Sequence, residues 1–242
     1  MHIEQTIRQM REMRLSHMAE SLEARMQHNE IKDLSPEELL SLLVEDEFTR
    51  RKERKLNRLI AKAGFKSALA CIENLKFSAA RGLIKSQVTP YTHESWIHNA
   101  HSLVITGPTG TGKTFLAEAI GLRACQMEHP SRLIRYTKLF DEIEEAKGVG
   151  TYVKYLEKLS KFKVLIIDDF AIRNASAIEA SLLLDILDSR DHRSATIITS
   201  QYPPSSWHKR FQDPTIADAI LDRLVHGASQ INLKGGSMRS KN

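Results

Sequence analysis

The sequence has no apolar run that approaches the roughly 20 residues needed to span a bilayer, and it is polar and charged from Glu4 onward. These absences argue against a membrane protein and against a secretory signal peptide. The two cysteines, Cys71 and Cys125, have neither pairing nor metal-ligand spacing, so reduced thiols are expected. We therefore expect a cytoplasmic protein with no membrane partner.

Internal repeats and low-complexity tracts are also missing, and the composition is that of an ordinary globular chain. Of the 242 residues, 41% are apolar and 27% are charged. This length suits one or two domains with a sizeable core. The formal net charge of +5 leans weakly towards an anionic partner such as nucleic acid.

The first part of the chain predicts helices. Apolar residues recur at helical spacing from Ile3 to Met26, and a break follows near 28–34. A second helix is expected over 36–63, because it starts with the capping-box pattern Ser-Pro-Glu-Glu and stops at Gly64, a favoured terminator.

The character of the sequence changes at about residue 100, where short β-rich runs begin to alternate with helical stretches. This alternation predicts an α/β fold with a parallel sheet flanked by helices. We therefore expect a small all-α amino-terminal domain over 1–66 for DNA or partner binding and self-association, a connector over 67–100, and a core over 101–242. The expected strands are 102–106, 132–136, 164–167, 196–199 and 230–233. The expected core helices are 113–127, 139–145, 152–159, 177–188 and 216–225.

Residues 107–114 match the phosphate-loop pattern G-x-x-x-x-G-K-[ST] between a predicted strand and a predicted helix. Glycines let backbone amides line a nest around phosphates, and the helix places its positive amino end there. Lys113 is expected to contact the β- and γ-phosphates, and the Thr114 hydroxyl to ligate Mg²⁺. The expected nucleotide-binding residues are Gly107, Pro108, Thr109, Gly110, Thr111, Gly112, Lys113, Thr114 and Phe115.

The apolar strand 164–167 ends in Asp168 and Asp169, at the edge where open α/β sheets bind ligands. Alone, such a strand end is a common turn; downstream of a phosphate loop it predicts a Walker B segment. Asp168 is the better candidate for the Mg²⁺ shell, together with Thr114. Asp169 is expected to orient or deprotonate the attacking water.

The strand 196–199 provides a further polar end. If it lies between the phosphate-loop strand and the Asp168 strand, Ser200 or Thr199 would reach the γ-phosphate and help to hold the water. The alternative is a simple turn before two prolines. We expect water to accept the γ-phosphoryl group, because no segment clearly supplies the substrate pocket and lid of a kinase.

Residues 50–62 hold seven basic residues and one acid. Basic side chains on one helical face suit a run of DNA phosphates but offer no base-reading code. A solvated helix face is the alternative. The residues expected to contact duplex DNA are Arg50, Arg51, Arg54, Lys55, Arg58, Lys62 and, as an extension, Arg81.

Together these segments resemble the IstB family, AAA+ ATPases encoded beside a transposase in bacterial insertion sequences and similar to the helicase loader DnaC. The resemblance implies an AAA+ P-loop core with a five-stranded parallel sheet, ATP and Mg²⁺ as cofactors, and a homo-oligomeric ring or spiral with ATP between copies. The segments that carry it are 107–114, 165–170, 197–201, 213–224 and 233–239, with 18–22, 78–83 and 96–97 in the amino-terminal half.

The resemblance also assigns roles to two arginines. Arg223 lies where the family's arginine finger lies, so it would reach the ATP of the next copy. Arg239 resembles a second sensor arginine that contacts nucleotide, although the chain ends a few residues later and the usual helical lid would be minimal or absent. Many AAA+ proteins carry glutamate at the position of Asp169, whose shorter side chain predicts slower hydrolysis or a water-mediated contact.

The expected function is ATP-dependent, DNA-stimulated regulation of transposition. Such a protein would assemble on duplex DNA, select or remodel the target, recruit or stimulate its cognate transposase, and be reset by hydrolysis. It would be associated with the bacterial nucleoid when on DNA. The alternatives are a DnaC-type helicase loader, distinguished by its helicase partner, and more distantly a small-molecule phosphotransferase or a nucleotide-gated scaffold without turnover.

Overall fold

The computed structural model describes residues 2–28 and 30–238, and the chain divides into two compact units, Met1–Arg58 and Leu59–Asn242. The division falls within one long helix. Residues 67–100, expected as a connector, belong to the second unit. None of the helices in the described ranges is both long and apolar enough to cross a membrane.

The first unit is helical and comprises α1 (His2–Glu12), α2 (Ser16–Gln27), a 3₁₀ turn (Glu30–Asp33) and the start of α3 (Pro36–Ala63). The predicted capping box is confirmed, because the Ser35 amide donates to Glu38 Oε2 at 2.8 Å and the Glu38 amide donates to Ser35 Oγ at 3.2 Å. The amino-terminal periodic stretch is two helices rather than one, and Arg14 between them has a φ of 61°.

Helix α2 is held by α3 at its amino end. The buried carboxylate of Glu47 accepts hydrogen bonds from the amides of His17 and Met18 at 2.9 and 3.0 Å. These amides have no partner within α2, so an acid there satisfies them and complements the helix dipole. A small core of Ile7, Ala19, Leu22 and Leu43 completes the packing.

The second unit contains a five-stranded parallel sheet of order β2-β3-β4-β1-β5, which confirms the predicted fold class. Strand β4 lies between β1 and β3, the arrangement on which the expected role of its polar end depends. The strands are β1 (Leu103–Thr106), β2 (Ser131–Arg135), β3 (Val164–Asp168), β4 (Ala195–Ser200) and β5 (Ser229–Asn232).

Two apolar clusters cover the two faces of this sheet, and alternate strand residues enter each of them. In β3, Val164 and Ile166 join the cluster under α6, whereas Leu165 and Ile167 join the cluster that contains Phe170. The helices of this unit after α3 are α4 (Lys85–Val88), α5 (Ser95–His98), α6 (Lys113–Gln126), α7 (Tyr136–Gly148), α8 (Tyr152–Ser160), α9 (Ala177–Arg190) and α10 (Pro214–Val225).

The segment before β1 is part of this packed unit. Its residues Tyr91, Trp96 and Ile97 are buried in the cluster under α6. Glu118 of α6, itself buried, accepts hydrogen bonds from the amides of Lys66 and Ser67 at 2.9 and 3.2 Å. The segment is therefore fastened to the helix that follows the phosphate loop.

Candidate nucleotide-binding site

The phosphate loop connects β1 to α6 at the carboxyl edge of the sheet. Gly107, Gly110 and Gly112 have φ values of 144°, 83° and 94°, which side chains with a Cβ rarely adopt. A Cβ on Gly107 would also lie 2.3 Å from the Leu233 carbonyl oxygen. Backbone conformation and close packing thus both require glycine, and the loop has the geometry of the predicted phosphate nest.

Lys113 is the first residue of α6, and its ammonium lies within the loop. Its Nζ donates to the carbonyl oxygens of Gly107 and Pro108 at 2.8 and 2.9 Å, and the residue is 6% exposed. The amino end of α6 adds positive partial charge at the same place. The loop therefore concentrates positive charge where the β- and γ-phosphates of a nucleotide would bind.

Asp168, at the end of β3, lies beside the first turn of α6 and is 1% exposed. Its Oδ1 accepts hydrogen bonds from Thr114 Oγ1 at 2.8 Å and from Thr199 Oγ1 at 2.6 Å. Oxygen donors of one hydroxyl and one carboxylate suit Mg²⁺, which takes few protein ligands and completes its shell with water and phosphate. The two predicted metal ligands, Thr114 and Asp168, therefore lie together and fit this ion.

Asp169 follows with a φ of 56°, a left-handed conformation that is uncommon for a residue with a side chain. Its amide donates to Thr199 Oγ1 at 3.1 Å, and its Oδ2 lies 3.6 Å from Nε of Arg135, the last residue of β2. Arg135 was not among the site residues expected from the sequence. Its position at the carboxyl end of a core strand was the sequence feature that could have identified it.

The structure separates the two residues considered at the end of β4. Thr199 contacts Asp168, whereas the fully buried Ser200 donates from Oγ to the Phe170 carbonyl oxygen at 2.8 Å and accepts from the Tyr202 amide at 3.1 Å. Successive strand residues point to opposite faces, which places Ser200 on the Phe170 side of the sheet. Ser200 is thus part of the packing rather than of the nucleotide-facing surface.

Gln201 is a second residue at the site that was not among the expected site residues. Its Oε1 accepts a hydrogen bond from Thr109 Oγ1 in the phosphate loop at 2.9 Å. It follows Thr199 by two positions, and this spacing along an extended chain was the signal that could have identified it.

Arg81, expected from its charge to extend the DNA surface, lies at the phosphate loop. Its Nη2 donates to the Thr111 carbonyl oxygen at 3.0 Å, and its Nη1 donates to the Lys76 carbonyl oxygen at 2.9 Å. Two backbone carbonyls therefore hold the guanidinium beside the phosphate loop, and Arg81 lines the same cavity as Lys113 and Asp168. The packing of 76–83 against the loop could not be read from local sequence.

The site residues line a cavity of about 650 Å³, a size that suits a nucleotide. Its polar lining includes residues of the phosphate loop, Asp168, Asp169 and Gln201. Its apolar lining includes Leu69, Leu75, Leu83 and Phe115. The cavity thus offers polar groups for phosphates and apolar side chains for a base.

Arg223 lies on α10 and does not line this cavity of its own protomer within the described residues. Its Nε donates to Asp188 of α9, and its Nη1 donates to the Ala219 carbonyl oxygen at 2.9 Å. Arg239, the other predicted nucleotide-sensing arginine, lies outside the described residues.

The basic residues of α3 lie on the helix predicted for them, but some are engaged by acids. Arg50 pairs with Glu53 at 3.2 Å, and Arg51 pairs with Glu47 at 2.7 Å. Lys55 is half-buried. The other predicted DNA contacts of this helix are exposed, namely Arg54, Arg58 and Lys62.

Comparison with known proteins agrees with this site. Residues 8–242 match the family described as IstB-like ATP binding protein. An insertion-sequence ATP-binding protein of Sinorhizobium fredii is 36% identical over 234 residues, which are 97% of this chain and 95% of that protein. The IS21 ATP-binding protein of Pseudomonas aeruginosa is 27% identical over 229 residues, 95% of this chain and 86% of that protein.

Solved structures support the fold. DnaI matches with a TM-score of 0.61 at 18% identity, covering 72% of this chain and 96% of that chain. The DnaC helicase loader matches with a TM-score of 0.55 at 18% identity, covering 62% and 87%. These neighbours agree with the observed fold, and the family model extends over residues 8–242. The chain belongs to the IstB-like ATP-binding protein family, as its motifs predicted.

Proposed function

We propose that this protein is an ATP-hydrolysing switch that assembles on duplex DNA and regulates transposition. The observation that carries the proposal is the meeting of Lys113, Thr114 and Asp168 in one cavity, with the buried Thr199 hydrogen-bonded to Asp168, in a member of a family of ATP-binding proteins. Phosphoryl transfer needs mainly positioning and charge neutralisation, which these groups provide. Bound Mg²⁺ would be held by Thr114 and Asp168 and would neutralise developing charge on the phosphates.

The other side chains have distinct parts in the proposed hydrolysis. Lys113 neutralises charge on the β- and γ-phosphates, and Asp169 orients the attacking water. The Thr199 hydroxyl donates a hydrogen bond to Asp168 Oδ1, and the same oxygen accepts one from the Asp169 amide. Thr199 therefore positions both acids relative to one another.

Arg223 is proposed to complete the site of a neighbouring copy. A guanidinium spreads its charge and suits the loose transition state of phosphoryl transfer. Its present partner, Asp188, would release it when copies assemble. ATP can favour assembly only if the assembled form binds it more tightly than the single protomer does, and an arginine from a second copy supplies that difference.

DNA is proposed to bind the exposed basic residues of α3, and the transposase is the proposed protein partner. Relatives are named as insertion-sequence ATP-binding proteins, which supports transposition as the process. The likeness to DnaC and DnaI favours helicase loading as the second candidate. Co-purification with a replicative helicase, rather than DNA-dependent assembly without one, would favour that candidate.

Thr199→Val is expected to slow ATP hydrolysis by about ten- to a hundred-fold, because Asp168 and Asp169 both lose a positioning contact. Ser200→Ala is the matched control. It removes a hydroxyl from the other face and is expected to lower the free energy of unfolding by about 1–2 kcal/mol with little effect on turnover. Steady-state hydrolysis and denaturant unfolding of both variants check this. If Ser200→Ala slows hydrolysis and Thr199→Val does not, Ser200 rather than Thr199 acts in the nucleotide site.

Removing two exposed charges from α3 is expected to weaken DNA binding in a salt-dependent way. For Arg54→Gln/Arg58→Gln, the slope of log K against log salt should fall by about 2, because about one counterion is released per phosphate contact. The measurement is fluorescence anisotropy of a duplex of arbitrary sequence, with a non-hydrolysable ATP analogue present and salt varied.

The matched control is Lys154→Gln/Lys158→Gln on α8, which removes the same charge from exposed positions of a different helix. It should leave the slope nearly unchanged. An unchanged slope in the α3 variant, or a salt-insensitive and strongly sequence-specific affinity of the wild type, would contradict the proposed DNA surface.

A further inference from the structure

Glu94, His98 and His129 place three potential metal ligands together at the edge of the sheet where the strands begin, opposite the phosphate loop. Glu94 Oε2 lies 3.3 Å from His98 Nε2 and 3.8 Å from His129 Nε2, and the three ligand atoms all lie within 4.8 Å of one another. Ligands in a tetrahedral zinc site, with metal bonds of about 2.0–2.1 Å, stand about 3.3 Å apart. Small side-chain adjustments would therefore bring all three to one ion.

Two of the ligands come from a single helical turn. The His98 amide donates to the Glu94 carbonyl oxygen at 3.1 Å, so the two side chains lie one turn apart on one side of α5. Trp96 and Ile97 of the same turn are buried in the core. The turn is therefore anchored, so the backbone that carries the side chains of Glu94 and His98 is fixed in position.

The third ligand is held by the end of α6. The His129 amide donates to the Ala124 carbonyl oxygen and the Glu128 amide to that of Cys125, both at 2.9 Å, and Glu128 has a φ of 65°. This pair of bonds is a Schellman motif, which fixes the chain direction just beyond a helix. The backbone of His129 is thus positioned independently of any ligand.

The ring of His129 has an unsatisfied atom that faces this cluster. Its Nε2 is buried and makes no hydrogen bond within the described residues, since the Glu94 oxygen at 3.8 Å lies beyond hydrogen-bond distance. The ring of His98 stands edge-to-face against it, with centroids 5.4 Å apart. A metal bond would satisfy a buried nitrogen that lacks a hydrogen bond.

We propose that Glu94, His98 and His129 bind one Zn²⁺ ion, with water as the fourth ligand. Two imidazoles and one carboxylate are a donor set that zinc accepts, whereas Mg²⁺ and Ca²⁺ prefer oxygen alone. The ion joins the segment before β1 to the segment before β2 and so stabilises the second unit. Zinc binding does not depend on nucleotide, because the phosphate loop lies at the opposite ends of the strands.

The test is zinc binding by untagged protein in excess Mg²⁺ and without nucleotide, measured by equilibrium dialysis with metal analysis. One Zn²⁺ per chain is expected, with Tm raised by about 5 °C or more at free Zn²⁺ near 100 times Kd. His98→Ala and His129→Ala should each weaken binding by at least about ten-fold. His192→Ala is the matched control, because His192 is 95% exposed and outside the cluster, and it should bind as wild type does.

Less than stoichiometric binding by the wild type would overturn the proposal. So would zinc affinity that neither His98→Ala nor His129→Ala changes, since the ion would then lie elsewhere. If the partly buried His129 is needed for folding, His98 still decides the matter, because its side chain is 63% exposed and can be removed without disturbing the core.

Discussion

Asp168→Asn is expected to lower ATP hydrolysis by about a thousand-fold or more while the protein stays folded. Asp168 is buried at the end of β3 and receives the hydroxyls of Thr114 and Thr199 on one oxygen. Asparagine keeps the shape and one acceptor but loses the charge that a divalent ion requires. Loss of a metal-binding or charge-stabilising group in a closed site has an effect of about this size.

The measurement is steady-state phosphate release over a range of Mg²⁺ concentrations, together with nucleotide affinity. Nucleotide binding should persist, because the phosphate loop and Lys113 are unaltered. The matched control is Asp191→Asn, which makes the same charge change at a partly exposed position just after α9. If Asp168→Asn hydrolyses ATP at the wild-type rate, the metal is held by other residues.

Arg223→Ala is expected to lower hydrolysis by about a thousand-fold or more while each protomer still binds ATP. Arginine fingers contribute about 10³–10⁵ to turnover, since they neutralise charge that develops in the transition state. Lost stability is not expected to explain the result. The Arg223–Asp188 pair is partly exposed, at 29% and 48%, and surface pairs contribute about 1 kcal/mol or less.

Asp188→Asn is the control that separates the two roles of Arg223. It breaks the same ion pair but leaves the guanidinium available to a second copy. Hydrolysis by Asp188→Asn should equal or exceed that of the wild type when both are fully assembled. If both variants lose activity together and unfold at lower temperature, Arg223 acts through packing within its own protomer.

Features set by local sequence were predictable. The phosphate loop depends on three glycine conformations and one lysine within eight residues, and the start of α3 depends on a capping box within four. The strands of the core follow from short apolar runs, and each of their bounds differs from the prediction by at most one residue. The meeting of Thr114 with Asp168 also follows, because both lie at the carboxyl edge of a parallel sheet.

Features set by long-range packing were not predictable. The choice between Thr199 and Ser200 depends on which face of β4 meets α6. The contact between Arg81 and Thr111 depends on a segment 30 positions earlier folding back onto the loop. The break near Arg14 was hidden because apolar spacing continues through it, and periodicity alone does not report a left-handed residue. His98 and His129 likewise meet only through the fold.

The central claim is that the nucleotide site of one copy is completed by Arg223 of another. It is tested most directly by mixing Asp168→Asn, which keeps the finger, with Arg223→Ala, which keeps the phosphate and metal groups. Each variant alone should be nearly inactive on DNA. If assembly is random, an equal mixture should recover about a quarter of wild-type hydrolysis, because one interface in four joins an intact site to an intact finger. A mixture that assembles on DNA and yet hydrolyses no faster than the sum of its two components would contradict the claim.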